Sequence, residues 1–313
     1  MTSFAPSRGF VQPYEQVFAK LRRGEAQAAD GTRLHYEVVG DGPETLLLAN
    51  GLGGRLYSWL GLIDDLSKRY RCISWDYRGL FESATPANPG ALGVPSHAAD
   101  AAAILDAEGI ASAHAVGWSM GVQVSLELAA RRPERVRSLV LINGTYGQVF
   151  STAWQPLLRL PIPHTLWHRG METFIEHPPA MAVLRAVART PAEAAFAVRK
   201  RVMPWRTSLR TLGLRQYMRD VTLTNTANYL RLFQELDAHS AYHLLPTLQQ
   251  PTTIIAGRYD PLTPSYQSRE MAARIPGAEL HVLHGSHFVL MERPERVLGL
   301  LRDHLEKIGG DHA

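Results

Sequence analysis

The feature that most constrains the fold of this chain is an alternation of short apolar runs with helical patterns. The alternation extends over about residues 44–145 and returns over about 250–310. Such alternation is typical of an α/β fold, in which helices flank a mostly parallel central sheet. The predicted strands are 34–39, 44–49, 71–75, 114–116, 136–142, 252–256 and 280–283, and the predicted helices are 56–68, 96–107, 122–132 and 294–307.

The alternation is interrupted between the strands expected at 136–142 and 252–256. The intervening segment carries helical patterns and no strand pattern, which indicates a helical insertion. The first 30 residues are mixed and contain proline, which favours an arm or a short leading helix. The expected parts of the chain are an N-terminal arm at 1–30, a core in two pieces at 31–147 and 248–313, and a helical cap at 148–247.

Composition limits the class of protein. The 313 residues, 45% of them hydrophobic, suffice for one large domain or for a core domain with an insertion. No signal-peptide pattern is visible at the N-terminus, and no stretch reaches the roughly 20 apolar residues of a membrane span. These patterns favour a cytoplasmic protein without stable membrane insertion. No nucleic-acid-binding signature is present, and the sequence leaves the oligomeric state open.

A candidate nucleophile lies in the motif Gly117-Trp118-Ser119-Met120-Gly121, between a short strand pattern and a helical one. In this context G-x-S-x-G predicts a sharp strand-to-helix turn that exposes the serine hydroxyl. The glycines avoid side-chain collisions in the turn, and the helix N-terminus favours negative charge. The alternative is a small-residue turn that merely packs a helix on a sheet. A serine hydroxyl is a poor nucleophile without a base, so a histidine and an acid are expected downstream.

Three downstream histidines are candidates for the base, all within the segment "ELHVLHGSHF". His281 falls within the last predicted strand, His284 at its end, and His287 in the following loop. A histidine on a loop after a strand can reach over the serine, whereas one within the strand cannot. His287 is therefore the predicted base, with His284 as the second choice.

Asp260 is the candidate acid. It is the only carboxylate in the loop 256–264, which follows a predicted strand. Its role would be to hold the imidazole in one tautomer and to stabilise the imidazolium. The alternative is an Asx-type turn ahead of Pro261. The other place for an acid is after the strand 136–142, where Asn143 cannot carry the charge.

The glycine-rich turn in "LLLANGLGGR", at 46–55, has three possible functions. A dinucleotide-binding G-x-G-x-x-G would need glycine at position 56, where Leu56 stands. A phosphate-binding P-loop also fails at this position. The remaining interpretation is a turn that holds an oxyanion, which agrees with the predicted serine, acid and histidine.

Taken together, these motifs resemble those of the α/β-hydrolase fold superfamily in its capped form. The resemblance covers roughly residues 30–145 and 248–308, and the chain order serine, acid, histidine is that of the superfamily. The motifs that carry it are the turns at 50–54 and 76–79, the elbow at 117–121, and the loops at 257–260 and 285–288.

The resemblance implies that the backbone amides of Leu52 and Met120 form the oxyanion hole. Many relatives begin the first of these turns with His-Gly, whereas this chain has Asn50-Gly51. The Asn50 side chain is expected to brace the turn, and an Asn-initiated turn resembles those of enol-lactonases. Asn50, Gly51 and Trp118 are also candidate substrate contacts.

The predicted function is that of a serine hydrolase that cleaves a small-molecule ester or lactone through an acyl-enzyme, with no metal or organic cofactor. A serine nucleophile argues against the epoxide hydrolase and haloalkane dehalogenase branches. The same triad also serves C–C bond hydrolases, haloperoxidases, lyases and acyltransferases, so these reactions remain alternatives. A non-catalytic binding protein is the last alternative.

Charge is unevenly distributed along the chain. Residues 148–246 carry 12 Lys and Arg against 6 Asp and Glu, a net charge of +6, whereas the rest of the chain has a net charge of −2. Attraction of an anionic substrate is one interpretation, and a solvated helix face is the other. The densest positive residues are Arg185, Arg189, Arg199, Lys200, Arg201, Arg206, Arg210, Arg215 and Arg219.

Overall fold

The computed structural model describes residues 20–149, 213, 214, 216, 217, 219–221 and 224–310. Within this part of the chain, eight strands form one sheet in the order β1-β2-β4-β3-β5-β6-β7-β8. β1 and β4 each pair with β2 in antiparallel fashion, and the other pairs are parallel. The strands are β1 Arg22–Gln27, β2 Arg33–Val39, β3 Glu44–Ala49, β4 Tyr70–Trp75, β5 Ala113–Trp118, β6 Val136–Ile142, β7 Thr252–Gly257 and β8 Glu279–Leu283.

Helices flank the sheet, which confirms the predicted fold class. The α-helices are α1 Leu60–Leu66, α2 Val94–Ala107, α3 Met120–Arg131, α4 Thr226–Ala238, α5 Ser265–Arg274, α6 Val289–Glu292 and α7 Pro294–Gly310. The 3-10 helices are Leu56–Trp59, Pro89–Leu92, Pro133–Arg135 and Tyr242–Thr247. No helix in the described ranges is long and apolar enough to cross a membrane.

Alternate residues of the central strands pack on opposite faces of the sheet, as the period of a strand requires. In β3, Leu47 belongs to the hydrophobic core on one face, whereas Leu46 and Leu48 belong to the core on the other. Helices α2, α3 and α5 contribute to the first core, and α1, α6 and α7 to the second. Burial on both faces explains why the sequence shows continuous apolar runs for these strands.

β1 differs from the sequence-based expectation of an arm or a short leading helix. Residues Arg22–Gln27 form an edge strand that pairs with β2 over six residues. Only Ala26 of β1 is buried, so the strand lacks the apolar pattern that would reveal it. Gly24 lies against the ring of Tyr36, where a Cβ atom would come within 2.2 Å of the ring. The edge strand is therefore stabilised by pairing rather than by its own hydrophobic residues.

The predicted cap at 148–247 falls largely outside the described residues. Its described part is mostly helical and includes α4, the 3-10 helix Tyr242–Thr247, and residues 213, 214, 216, 217 and 219–221, which we call the Tyr217 segment. Of the nine basic residues singled out in this region, Arg219 alone lies among the described residues, where it is exposed. Residues 1–19 of the predicted arm likewise lie outside the described part.

The topology of the sheet places the candidate residues at the same end of its parallel strands. The loops after the parallel strands β3, β5, β6, β7 and β8 all emerge at the carboxyl ends of these strands, which is where open α/β sheets bind ligands. These loops carry, in chain order, the 50–54 turn, Ser119, Asn143, Asp260 and His287.

Candidate active site

Ser119 occupies the sharp turn between β5 and α3. Its backbone has φ 56° and ψ −115°, a conformation that is sterically unfavourable for a residue with a side chain. The Ser119 amide donates to the carbonyl oxygen of Ile142 at 3.0 Å, and its carbonyl accepts from the amide of Val122 at 3.0 Å. The surrounding backbone therefore holds the strained residue in place and leaves its side chain partly exposed.

Both glycines of the motif lie too close to neighbouring backbone for any side chain. A Cβ atom on Gly117 would lie 2.3 Å from the carbonyl oxygen of Gly121. One on Gly121 would lie 2.0 Å from the carbonyl oxygen of Ala49, at the end of β3. The motif thus packs the turn tightly against the sheet, as the sequence pattern predicts for a nucleophile elbow.

The structure brings Ser119, His287 and Asp260 into one chain of hydrogen bonds. Nε2 of His287 lies 2.9 Å from Oγ of Ser119, and Nδ1 lies 2.8 Å from Oδ2 of Asp260. His287 lies in the loop between β8 and α6 and is largely buried. The second candidate, His284, is exposed and lies 3.3 Å from the hydroxyl of Tyr259. It takes no part in the hydrogen bonds described around Ser119.

Asp260 is buried and its two carboxylate oxygens have separate partners. Oδ1 accepts from the backbone amides of Leu262 at 2.8 Å and Thr263 at 2.9 Å. Oδ2 faces His287 and also accepts from the Thr263 hydroxyl at 2.6 Å. The Asx-type turn considered from the sequence is therefore present, and it orients the carboxylate so that the second oxygen can contact the imidazole.

Asn143 links the acid loop to the histidine loop, a role that the sequence analysis missed. Its side-chain Nδ2 donates to Oδ2 of Asp260 at 3.0 Å and to the carbonyl oxygen of Ser286 at 2.7 Å. Its Oδ1 accepts from the amide of Gly257 at 2.8 Å. Asn143 also has a positive φ of 43°, which asparagine tolerates better than most residues. An asparagine directly after a buried strand was the available signal.

Glu292, at the end of α6, holds the histidine loop from the other side. Its Oε2 accepts from the amide of Ser286 and its Oε1 from the Ser286 hydroxyl, both at 2.7 Å. Ser286 immediately precedes His287, so two side chains, Asn143 and Glu292, fix the backbone beside the candidate base. The sequence offered no signal for Glu292.

The turn at 50–54 is braced through Asn50. The Asn50 side chain is completely buried; Nδ2 donates to Oγ of Ser74 at 2.9 Å and to the carbonyl oxygen of Trp75 at 2.8 Å. Its Oδ1 accepts from the indole N–H of Trp59 at 2.7 Å. These contacts agree with the expected bracing of the turn by Asn50.

The other candidate substrate contacts also lie within the scaffold. Trp118 is completely buried, and its indole N–H donates to the carbonyl oxygen of His287 at 3.1 Å. Gly51 lies against this ring, where a Cβ atom would come within 2.8 Å. In the described structure the side chains of Asn50 and Trp118 brace the loops of the site, and a substrate contact at Asn50, Gly51 or Trp118 stays a prediction.

The candidate oxyanion donors lie on either side of Ser119. Met120 is the first residue of α3, where backbone amides have no acceptor within the helix. Leu52 is buried in the turn that follows β3, and a hydrogen bond of 2.8 Å from the Gly54 amide to the Gly51 carbonyl closes this turn. The assignment of these two amides as oxyanion donors stays a prediction.

The turn at 76–79 supports the site through two buried ion pairs. Asp76 accepts from Nε and Nη2 of Arg55 at 2.8 and 2.9 Å, which fixes the residue that follows the glycine-rich turn. Arg78 donates from Nε to Oδ2 of Asp100 in α2 at 2.7 Å. Paired, hydrogen-bonded charges of this kind hold a defined geometry, and removal of one partner leaves a buried charge uncompensated.

Fold and site together define the class of protein. The family described as alpha/beta hydrolase fold matches residues 44–294 of this chain. The chain therefore belongs to the α/β-hydrolase fold family, which confirms the resemblance drawn from the five motifs.

Individual relatives are hydrolases of several kinds. The chain is 30% identical over 289 residues to a protein named "Putative carbamate hydrolase RutD" from Stutzerimonas stutzeri, covering 90% of this chain and 99% of the relative. It is 28% identical over 263 residues to a poly(3-hydroxyalkanoate) depolymerase from Ectopseudomonas oleovorans, covering 84% of each chain. Among solved structures, the enol-lactonase from Burkholderia xenovorans LB400 superimposes with a TM-score of 0.70 at 26% identity, covering 90% of this chain and all of that one.

Proposed function

We propose that this chain is a serine hydrolase that cleaves a small-molecule carboxylic ester or lactone through an acyl-enzyme. The observation that carries the proposal is the hydrogen-bond chain from Ser119 through His287 to Asp260, with distances of 2.9 and 2.8 Å. A serine at this distance from an imidazole, itself oriented by a carboxylate, has the arrangement that nucleophilic catalysis requires.

The proposed reaction begins when Oγ of Ser119 attacks the carbonyl carbon and Nε2 of His287 takes the serine proton. Asp260 stabilises the imidazolium that forms. The tetrahedral intermediate collapses, the bond to the leaving oxygen breaks, and His287 returns the proton to that oxygen. Water, deprotonated by His287, then attacks the acyl-enzyme, which releases the acid and regenerates Ser119.

The amides of Leu52 and Met120 are proposed to bind the oxyanion during both steps. Met120 supplies an N–H at the start of α3, where the helix dipole also favours negative charge. Donors fixed before the reaction are worth about 10²–10³ in rate for each one. The buried network around Asn50 supports this role because it holds the turn in one conformation.

The choice of ester or lactone rests on the relatives. The enol-lactonase supports a lactone, and its 26% identity extends over nearly the whole of both chains. The RutD relative favours a second candidate, hydrolysis of a carbamate. In that reaction Ser119 would attack the carbamate carbonyl in the same way and carry a carbamyl group, so the two candidates differ in substrate and not in mechanism.

We further propose that residues 148–247 form a cap over this site, inserted between the two parts of the core at 31–147 and 248–313. The described part of the region supports this division. Tyr217 contacts the ring of Phe288, the residue after His287, at a centroid distance of 5.6 Å. A segment that follows the first part of the core thus packs beside the histidine loop of the second.

The proposal is tested by comparing the wild type with Ser119→Ala on p-nitrophenyl esters of graded acyl length, on lactones and on carbamates. Ser125→Ala is the matched control, because its buried hydroxyl has no hydrogen-bond partner among the described residues. This hydroxyl packs beside Gly117 of the elbow, so the control removes a serine hydroxyl near Ser119 without removing the proposed nucleophile. We expect Ser119→Ala to lower kcat/KM at least about 10⁴-fold and Ser125→Ala to behave as wild type. Unchanged turnover by Ser119→Ala would refute the proposal.

A further inference from the structure

The carbonyl oxygens of the turn at 50–53 are all hydrogen-bonded, and tyrosine hydroxyls supply three of the four donors. One tyrosine comes from the 76–79 turn, one from the 3-10 helix Leu56–Trp59 and one from the Tyr217 segment. The backbone carbonyl oxygens accept as follows: Asn50 from the Tyr77 hydroxyl at 2.6 Å, Gly51 from the Gly54 amide at 2.8 Å, Leu52 from the Tyr217 hydroxyl at 2.9 Å, and Gly53 from the Tyr57 hydroxyl at 3.3 Å.

These bonds fix the directions of the backbone amides as well. In a trans peptide the carbonyl of one residue and the N–H of the next lie in one plane and point in opposite directions. A hydrogen bond that fixes the carbonyl therefore also fixes the direction of that N–H. The bond from Gly54 to Gly51 closes a four-residue turn in which Gly53 has a φ of 75° and Leu52 does not have a positive φ. This is the pattern of a type II turn, whose central peptide can flip to give type I. The Tyr217 hydroxyl holds that central peptide through the Leu52 carbonyl.

Tyr217 also contacts the two other loops of the site. Its ring lies edge-on to Trp118, beside Ser119, and to Phe288, beside His287, with centroid distances of 5.6 Å in both cases. Burial raises the pKa of Tyr217 well above its usual value, so the hydroxyl stays protonated and can donate at neutral pH. One side chain thus joins the turn, the elbow and the histidine loop.

We propose that Tyr217 is a positioning residue. Through its hydroxyl, the position of the Tyr217 segment determines the geometry of the turn at 50–54, which carries the Leu52 amide. The inference rests on the proposed function, since it assumes that the Leu52 amide binds the oxyanion. Tyr77 and Tyr57 hold the turn from the core, whereas Tyr217 holds it from the region proposed as the cap. The peptide that carries the Leu52 amide is held by the bond from Gly54 to Gly51, and Tyr217 holds the next peptide. Without the Tyr217 hydroxyl, the Leu52–Gly53 peptide is free to rotate, and the Leu52 amide is held from one side only.

The test is the rate at which a fluorophosphonate probe modifies Ser119. In this reaction Oγ of Ser119 bonds to phosphorus, fluoride leaves, and His287 accepts the serine proton, so the probe engages the oxyanion hole whichever substrate the enzyme cleaves. Tyr217→Phe keeps the ring contacts and removes only the hydroxyl. Tyr242→Phe is the matched control, because its hydroxyl lies 3.0 Å from Glu270 of α5.

We expect the second-order labelling rate of Tyr217→Phe to fall about 10-fold, less than the 10²–10³ that accompanies outright loss of an oxyanion donor. The Tyr242→Phe rate should equal that of the wild type. On any ester that the wild type turns over, Tyr217→Phe should lower kcat and leave KM unchanged. The labelling rate constant is measured only on the protein molecules that react. Partial unfolding of a variant would therefore lower the amount of labelled protein and leave the rate constant unchanged.

Two outcomes overturn different claims. If the wild type is labelled and Tyr217→Phe is labelled at the same rate, the positioning role is wrong and the proposed function stands. If the wild type is not labelled at Ser119, the proposed function fails and the inference fails with it.

Discussion

The side-chain amide of Asn143 donates to Oδ2 of Asp260 at 3.0 Å, across a separation of 117 residues in the chain. The same Nδ2 donates to the carbonyl oxygen of Ser286, and Oδ1 accepts from the amide of Gly257. Asn143 therefore fixes the distance between the loop of the acid and the loop of the base. It stands at the end of β6, the other strand end at which an acid could lie, and it supports Asp260 from there.

Two variants of Asn143 separate its hydrogen bonds from its backbone conformation. Asn143→Gly and Asn143→Ala both remove the side-chain bonds, and we expect both to lower kcat about 10-fold, because hydrogen bonds to charged groups are worth about 1.5–3 kcal/mol. At a φ of 43° alanine should be less stable than glycine by about 1 kcal/mol. Urea unfolding and steady-state kinetics measure the two effects. Wild-type kcat in both variants would rule out the positioning role.

Asp260→Asn tests the contribution of the acid. The amide cannot stabilise the imidazolium, and its NH₂ group can favour the wrong tautomer of His287, so kcat should fall about 10⁴-fold. The control is Asp64→Asn, which changes an exposed carboxylate on α1 that lies 3.9 Å from Lys68. We expect that control to match the wild type. A loss of less than tenfold in Asp260→Asn would show that another group supports His287.

The elbow glycines provide a test with a clear control. In Gly121→Ala the new methyl group would lie 2.0 Å from the carbonyl oxygen of Ala49, so the turn must shift and the position of Ser119 must shift with it. We expect near-complete loss of fluorophosphonate labelling. In Gly299→Ala, on α7, no atom of the described residues lies within 4 Å of the new methyl group apart from its chain neighbours and the backbone of the same helix, and stability should rise by about 0.5–1 kcal/mol. Normal labelling of Gly121→Ala would contradict the described packing.

Glu37, on β2, should make stability depend on pH. Burial raises the pKa of its carboxyl from 4.5 to about 7, although Arg55 opposes the shift. A carboxyl with a raised pKa favours folding while it is protonated, so this contribution is full below pH 4.5 and is lost as the pH rises through about 7. Glu37→Gln should remove this loss of stability at rising pH, because glutamine does not titrate.

The measurement is the free energy of unfolding of both proteins in urea at several pH values. The variant should gain stability over the wild type as the pH rises from about 5 to about 8, by at most about 3 kcal/mol. A stability difference that stays constant over this range would mean that Glu37 does not titrate there.

Much of the fold could be predicted because its strands are buried on both faces. β3 and β6 are short apolar runs that end at glycine- or asparagine-containing turns, and such patterns depend only on local sequence. β1 could not be predicted in this way, because its residues Arg22–Gln27 are mostly exposed and are held by pairing with β2. A strand of that kind is defined by its partner.

The same distinction applies to the site. Ser119, Asp260 and His287 stand in local motifs, each in the turn or loop that follows a parallel strand, so their approach could be predicted from topology. Glu292 and Asn143 act through contacts with Ser286, and the Asn143 contact spans 143 residues of the chain. No local pattern specifies such partners. For Asn50, the bracing role was expected from the sequence, whereas its partners Ser74, Trp75 and Trp59 could not be named without the structure.

The most direct test of the account is the detection of the covalent intermediate by rapid quenching. The wild type is mixed with p-nitrophenyl acetate, or with the ester of the panel that it cleaves fastest, quenched in acid during turnover, digested and analysed by tandem mass spectrometry. We expect an acyl group on Ser119, and none on the same peptide of Ser119→Ala. Full turnover with Ser119 unmodified, or an acyl group on another residue, would contradict it.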